Sequence, residues 1–402
     1  MTLFSNKPNL ERLQWLFYTL FGILMVLNLG YAYYRLMYLN AGGDAQWYGA
    51  KLLWDGTNPY MAALTTSDWF LTAYPNYAHI LYYALFPLTI FEWEQSKLVW
   101  FFFNVGCFLF TLYAFVRWEK VAVYKVLLIA SIMLAGSNFA NTLYQGQISI
   151  FILCCVSLAW IFRKKSWIMI VLLSLIFSKY SLGLPILLGF FLAGYYKEAI
   201  AAFAVNIMFA LIFALQFDIG FLESLALPFE VASMYTSGHG HSDLLTLFRL
   251  THIDESFFGI NFFSIGAVLL YGAFSLYCLV YRPDKRLIII ASLLLCFPIL
   301  FHLQYDYVVL LAPLLIAFSK PGLSKKTSII LVCITAYFWV YPIIPKLLRS
   351  LLHLDIGIHP IDHFGSVFGL VFIFINMLLF IITAIIILRN RQSELTSIDS
   401  NQ

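Results

Sequence analysis

Charge is what this chain has least of. Only 11% of its 402 residues are Asp, Glu, Lys or Arg, where a soluble domain carries roughly 25%. That deficit, with 62% hydrophobic residues and a mean hydropathy of +0.86, excludes an ordinary water-soluble domain. The net charge of +4 is small for the length, and no basic run is long enough to grip nucleic acid. Glycine-rich nucleotide signatures are missing. The six cysteines (Cys107, Cys154, Cys155, Cys278, Cys296 and Cys333) all fall in apolar segments, where each acts as a small hydrophobe. Their spacing offers neither a disulfide framework nor a zinc site. The first apolar segment lacks a small-residue cleavage site and is too long for a signal peptide, so it reads as a retained helix. With no internal repeat, low-complexity stretch or linker, residues 1–402 read as one domain.

What the chain does have is long apolar runs. They are continuous and lack the period-2 alternation of barrel strands, so the expected fold class is an all-α polytopic membrane protein. A helical span needs about 20 apolar residues. Candidates lie at 13–34, 97–117, 123–141, 147–162, 166–178, 181–196, 198–216, 260–281, 286–301, 303–318, 327–342 and 365–388. A further run at 79–91 is only about 20 Å long as a helix, and reads as re-entrant or interfacial.

Charge orients the chain. With the N-terminus in the cytoplasm and 79–91 not crossing, cytoplasmic segments hold most of the 24 Lys and Arg. These include Arg163-Lys164-Lys165, Arg282 with Lys285-Arg286, Lys325-Lys326, and Arg389 with Arg391 in the tail 389–402, a positive-inside bias. The expectation is about twelve spans with both termini cytoplasmic. All eight histidines then fall on the outer side or at its edge, as do Asp44, Asp55, Asp68, Asp218, Asp243, Asp306, Asp355 and Asp362. Chemistry is therefore expected on the outer face, which has external loops at 35–78, 217–259 and 343–364. The first is rich in Trp and Tyr (Trp47, Tyr48, Trp54, Tyr60, Trp69, Tyr74, Tyr77), as helices lying among lipid headgroups are.

Several polar constellations stand out against this apolar background. Asp44, where the chain leaves the first span, is placed to take a proton from a hydroxyl or to cap a helix starting at Ala45. Asp55, before Gly56, fits ordinary turn chemistry. Gln145 and Gln147 flank Gly146 at a helix start; their amides suit sugar hydroxyls or phosphate, or simply capping. Lys179 breaks the positive-inside trend and suits phosphate contact, with snorkelling to headgroups as the alternative. The loop from Ser237 through His239, His241 and Asp243 to Arg249 is dense in polar groups. Its glycines permit close approach to a ligand, and an arginine grips phosphate through two bonds. His239 and His241 have no third ligand nearby, so no metal is expected. His302 and Asp306 are four apart and share a helix face, either acting together or as a structural pair. His353, His359 and His363, with Asp355 and Asp362, read as surface groups.

Asp44, Tyr48, Ala50, Gly56, Pro59 and Tyr60 form, at their spacing, a pattern that resembles the first external loop of the GT-C superfamily of polytopic glycosyltransferases. It is most similar to glycosyltransferase family 87, the polyprenyl-phosphate-mannose-dependent mannosyltransferases. Tyr74-Pro75 with Pro87, Gly146-Gln147, and Lys179 before Pro185 are looser likenesses. The family's Tyr-Pro-Pro has Asn76 in its last place here, and Asp306 stands where the family carries histidine.

The resemblance implies a GT-C fold and an inverting transfer of a hexose, in that family mannose, from a polyprenyl phosphate carrier. The acceptor would be a lipid-linked or cell-envelope glycan at a bacterial plasma membrane. Asp44 is then the catalytic base, Lys179, Arg249 and His302 the donor-phosphate contacts, and Gln145, Gln147, His239, His241, Asp306, Tyr48 and Tyr60 the substrate contacts. Membrane lipids are partners, nucleic acid is not, and no cofactor is expected. Two rivals share the composition: a transporter, which would show repeats and midplane polar residues, and a non-catalytic flippase or assembly factor for lipid-linked sugars.

Overall fold

The computed structural model describes residues 7–39, 45–65, 74–235, 256–257, 260–298, 302–319, 323–340 and 367–389. Helix α1 spans Lys7–Tyr38. Four short helices follow: α2 (Trp47–Trp54), α3 (Pro59–Thr65), α4 (His79–Ala84) and α5 (Phe86–Thr89). Then come α6 (Trp93–Arg117), α7 (Val123–Leu134), α8 (Asn138–Gln145), α9 (Ser149–Ile161), α10 (Ser166–Phe177), α11 (Tyr180–Leu192), α12 (Tyr196–Gln216) and α13 (Phe221–Tyr235). A small antiparallel ladder, β1 (Ser256–Phe257) with β2 (Ile260–Asn261), pairs Ser256 with Asn261. Helices α14 (Phe262–Tyr281) and α15 (Lys285–Leu295) follow. A 3-10 segment, Gln304–Leu310, continues into α16 (Leu311–Phe318), and α17 (Lys325–Val340) and α18 (Val367–Arg389) complete the described chain.

The stretches Gln14–Tyr38, Trp93–Arg117 and Tyr196–Gln216 are each long and apolar enough to cross a membrane. Helices α7 and α8 together make a fourth such stretch, bent by 71°. On α1, Trp15, Ile23, Val26 and Leu27 turn outward; on α14, Val268, Leu269, Leu276 and Leu279 do the same. Apolar surface this extensive requires lipid rather than water on its far side. The chain is a helical membrane protein.

The expected elements recur with instructive differences. The run 123–141 is divided at Ala135–Ser137 rather than forming one helix. The run 79–91 is split into α4 and α5, with Pro87 in the first turn of α5, where its missing N–H breaks no helical bond. The segment 217–259, expected as a loop, contains α13. The run 303–318 opens as 3-10 helix. Local signals set the other boundaries. Glu92 and Gln95 form a capping box at the start of α6. Asp284 caps α15 by accepting a hydrogen bond from the Arg286 backbone N–H at 2.8 Å.

The centre of the bundle is built from the helices that are apolar on every face, as burial on all sides demands. Most residues of α9, α15, α16 and the 3-10 segment are buried. Helix α9 packs on α6 and α10, α10 on α11 and α12, α11 on α15, and α15 on α18. Helix α1 covers α7 and α8, and the 3-10 segment lies against α8 and α9.

The bend between α7 and α8 receives the end of α17. Asn138 Nδ2 donates to the Phe338 carbonyl at 3.2 Å, and Trp339 Nε1 donates to the Tyr307 carbonyl at 2.8 Å. A Cβ on Gly136 would collide with the Trp339 carbonyl oxygen, which is backbone and cannot swing aside. Gly136→Ala should therefore cost about 1–3 kcal/mol of stability. Gly22→Ala, where a Cβ meets open space, serves as control. Matching thermal unfolding midpoints for the two variants in detergent would disprove the contact.

Candidate active site

The site is made where helices stop. Helix α8 ends at Gly146, whose φ of +74° is the left-handed conformation glycine adopts without strain. Gly146 N–H bonds the Leu143 carbonyl at 3.2 Å and Gln147 N–H the Thr142 carbonyl at 3.1 Å, a Schellman closure. That turn delivers Gln147 and, two residues on, Ser149, the first residue of α9. A second break falls between α10 and α11, at Ser178 and Lys179. The third is at Leu303, extended at ψ 164°, before Asp306 in the first turn of the 3-10 segment.

These breaks bring four polar side chains together. Lys179 Nζ lies 2.5 Å from Asp306 Oδ1. Ser149 Oγ donates to the same oxygen and lies 3.5 Å from Lys179 Nζ. His302 Nδ1 is 3.2 Å from Asp306 Oδ2. The Lys179 ammonium also faces the Tyr77 and Tyr305 rings, 5.7 and 5.4 Å from their centroids. Tyr77 OH donates to Gln147 Oε1 at 3.3 Å. Lys179, Asp306, His302, Ser149 and Gln147 are all buried.

The cluster is incompletely bonded. Gln147 Nε2, Ser178 Oγ and His302 Nε2 are buried with no hydrogen-bond partner among the described residues. Buried polar atoms are almost always paired, so each unpaired one calls for an explanation. Such atoms occur elsewhere among the described residues, on Ser157 and Asn206 for example; those of Gln147 and His302 belong to the cluster itself, where a polar ligand would complete them.

The first loop is tied to this cluster from outside. Tyr60 OH donates to the Tyr77 carbonyl at 2.7 Å, Tyr82 OH to Gln46 Oε1 at 3.1 Å, and Ala78 N–H to the Ser178 carbonyl at 2.8 Å. Burial raises the Tyr60 hydroxyl well above its usual pKa, so it acts as a donor. Burial also lowers His79 to about 4; its neutral ring lies 3.2 Å from Ser224 Oγ. The Trp47 ring packs on Gly146, 3.2 Å from where a Cβ would stand, and Trp100 Nε1 donates to the Gly146 carbonyl at 3.0 Å. Trp47, Tyr60 and Tyr77, expected among headgroups, are buried instead, because each anchors this junction.

Of the residues singled out from sequence, Lys179, His302, Asp306 and Gln147 meet, and Tyr60 joins them through Tyr77. Gln145 is turned to its neighbour Tyr144, and Tyr48 lies edge-on to Trp93 at 6.4 Å. Asp55 follows α2 as its exposed cap. Asp44, Arg249, His239 and His241 lie outside the described residues, as do His353, His359, His363, Asp355 and Asp362. Ser149, Tyr77 and Tyr305 were not singled out as site residues. The signal for Ser149 was its place two residues beyond Gln147 at a helix start. No group of three or more His, Cys, Asp or Glu gathers as a metal-ligand set among the described residues.

The ion pair carries a stability prediction. Stranding one partner of a buried pair costs about 3–5 kcal/mol, whereas replacing both with apolar residues is far less harmful. Lys179→Met and Asp306→Leu should each lower the unfolding midpoint sharply, and the double variant should recover most of the loss. A double variant no more stable than the worse single one would argue against the pairing.

The profile of glycosyltransferase family 87 matches residues 74–318, a stretch that contains every member of the cluster and begins beyond the first-loop pattern. No curated protein and no solved structure matches the chain.

Proposed function

This chain belongs to glycosyltransferase family 87, and from that premise we propose that it transfers a hexose, mannose in the first instance, from a polyprenyl phosphate to a lipid-linked or envelope glycan. The observation that carries this reading is the buried, under-bonded cluster of Lys179, Asp306, Ser149, His302 and Gln147 at three helix breaks. A fixed cation among unpaired donors and acceptors suits a sugar phosphate, whose phosphate carries charge and whose hydroxyls both donate and accept.

Twelve spans with both termini cytoplasmic would put these breaks on the outer face of a bacterial plasma membrane, where a lipid-linked donor is presented. The lipid tail would lie between helices. The acceptor oxygen attacks the anomeric carbon as the bond from that carbon to the phosphate oxygen breaks, and the configuration inverts. The acceptor proton passes to Asp44, and the electron pair of the broken bond goes to the phosphate. Lys179, with Arg249 and His302, neutralises the charge that develops there. Support for Asp44 comes from the first-loop pattern and from its neighbour Ala45, which is fully buried with its Cα against Gly146. Gln147 and Tyr60 would contact the sugar or acceptor, with Gln145, Tyr48, His239 and His241 as further contacts.

The test is transfer from radiolabelled polyprenyl-phosphate-mannose to an envelope-lipid acceptor by purified protein. Asp44→Asn should lower kcat by about 10²–10⁴ with the fold intact. Lys179→Gln should lower it by about 10²–10³. Wild-type rates in Asp44→Asn would remove it as the base. Inert wild-type protein, with other lipid-phosphate sugars inert as well, would refute the donor class.

A further inference from the structure

Lys179 cannot be treated as an idle cation awaiting phosphate, because it already has an anion. An ammonium has three N–H donors. One is committed to Asp306 Oδ1 at 2.5 Å, and Ser149 Oγ is at the limit of reach of another at 3.5 Å. The Asp306 carboxylate takes up what surrounds it as a bound oxyanion would. Oδ1 receives Lys179 and Ser149, and Oδ2 faces His302 Nδ1. A phosphodiester likewise presents two non-bridging oxygens that share one negative charge, so it would satisfy the Lys179 and Ser149 donors that Oδ1 now occupies.

We propose that Asp306 is a resident stand-in for the donor phosphate: its carboxylate holds the seat made by Lys179 and Ser149 while the site is empty, and the lipid-linked phosphate displaces it. The proposal rests on the reading of Lys179 as a phosphate contact. No covalent bond changes. Displacement breaks the contact of Asp306 Oδ1 with Lys179 and Ser149, and the carboxylate stays on His302 through Oδ2.

Two features favour an exchange over a permanent brace. The Lys179 side chain is 10% exposed against 3% for Asp306 and none for His302, so the lysine is the least enclosed of the three. Gln147 Nε2, on the amide that Tyr77 OH binds, and Ser178 Oγ, on the residue before the lysine, are buried and unpaired among the described residues. A permanent pair has no use for them, whereas an arriving phosphate or its sugar does. The stand-in also explains how a lysine is kept in an apolar bundle between turnovers, when an unpaired charge would be costly.

The experiment measures binding of farnesyl phosphate, with uncharged farnesol as control, to the full chain in detergent. If Asp306 competes with phosphate, Asp306→Asn should bind farnesyl phosphate about tenfold more tightly than wild type, as removing an internal competitor requires. Lys179→Gln should lose the preference for the phosphate over farnesol. Equal or weaker binding by a folded Asp306→Asn, with wild type still binding, would overturn the stand-in and leave the phosphate reading intact. No preference for farnesyl phosphate in wild type or Asp306→Asn would overturn both. Should Asp306→Asn fail to fold, infrared difference spectra of wild type decide the matter. Farnesyl phosphate, and not farnesol, should shift a carboxylate stretching band; binding with no such shift would overturn the stand-in.

Discussion

An ammonium group withdrawn into an apolar helix bundle has to meet an anion, and here the requirement is met by Asp306, 127 positions away in sequence. Much of the arrangement around the site follows from that pairing. It fixes the break between α10 and α11 against the opening turn of the 3-10 segment. Ser149 adds the start of α9 to the same point, and His302 holds the far carboxylate oxygen. Three interruptions in helical structure, each expensive in hydrocarbon, are thereby gathered into one polar spot. The adjoining α9 and α16 are largely buried and apolar, which keeps water from competing for the pair and strengthens it.

The aromatic residues of the first loop do a different job from the one their composition suggests. Trp and Tyr commonly sit at the membrane interface because they are apolar at one end and polar at the other. In this protein the same dual character is spent inward. Tyr60 and Tyr82 bury their rings and give their hydroxyls to the Tyr77 carbonyl and to Gln46. Trp47 fills the space that Gly146 leaves by having no Cβ. Ala45 and Trp47, which follow Asp44, thus pack against the turn that presents Gln147, and Gln46 is held by Tyr82.

Family membership and geometry support one another from independent directions. The family profile covers the cluster yet leaves out the first-loop pattern, so the assignment as a glycosyltransferase does not depend on that pattern. The geometry, in turn, identifies a buried polar centre without reference to any relative. The outward-facing apolar side chains of α1 and α14 supply the lipid contact that a membrane-embedded enzyme needs, while the polar groups of the cluster sit at helix ends.

By itself the sequence determined the class of protein, because a charge content of 11% with long apolar runs leaves few solvents other than lipid. It also exposed the polar candidates, since Lys179, His302, Asp306 and Gln147 are conspicuous in an apolar background. The contact of His302 with Asp306 was expected from a shared helix face, but His302 and Leu303 precede the 3-10 segment, and the extended turn at Leu303 makes the contact instead. The partnership of Lys179 with Asp306 was not legible, because the two belong to separate apolar segments and nothing local encodes which helix ends meet. The inward turn of Trp47 and Tyr77 was hidden for a related reason: an amphipathic ring looks the same in sequence whether its neighbours are headgroups or protein. Periodicity also missed the division of 123–141, since an apolar run continues through Ala135 and Gly136. Only the tertiary structure decided these points, because the free energy of a buried charge or ring depends on what packs against it, and helix packing brings those neighbours from distant parts of the chain.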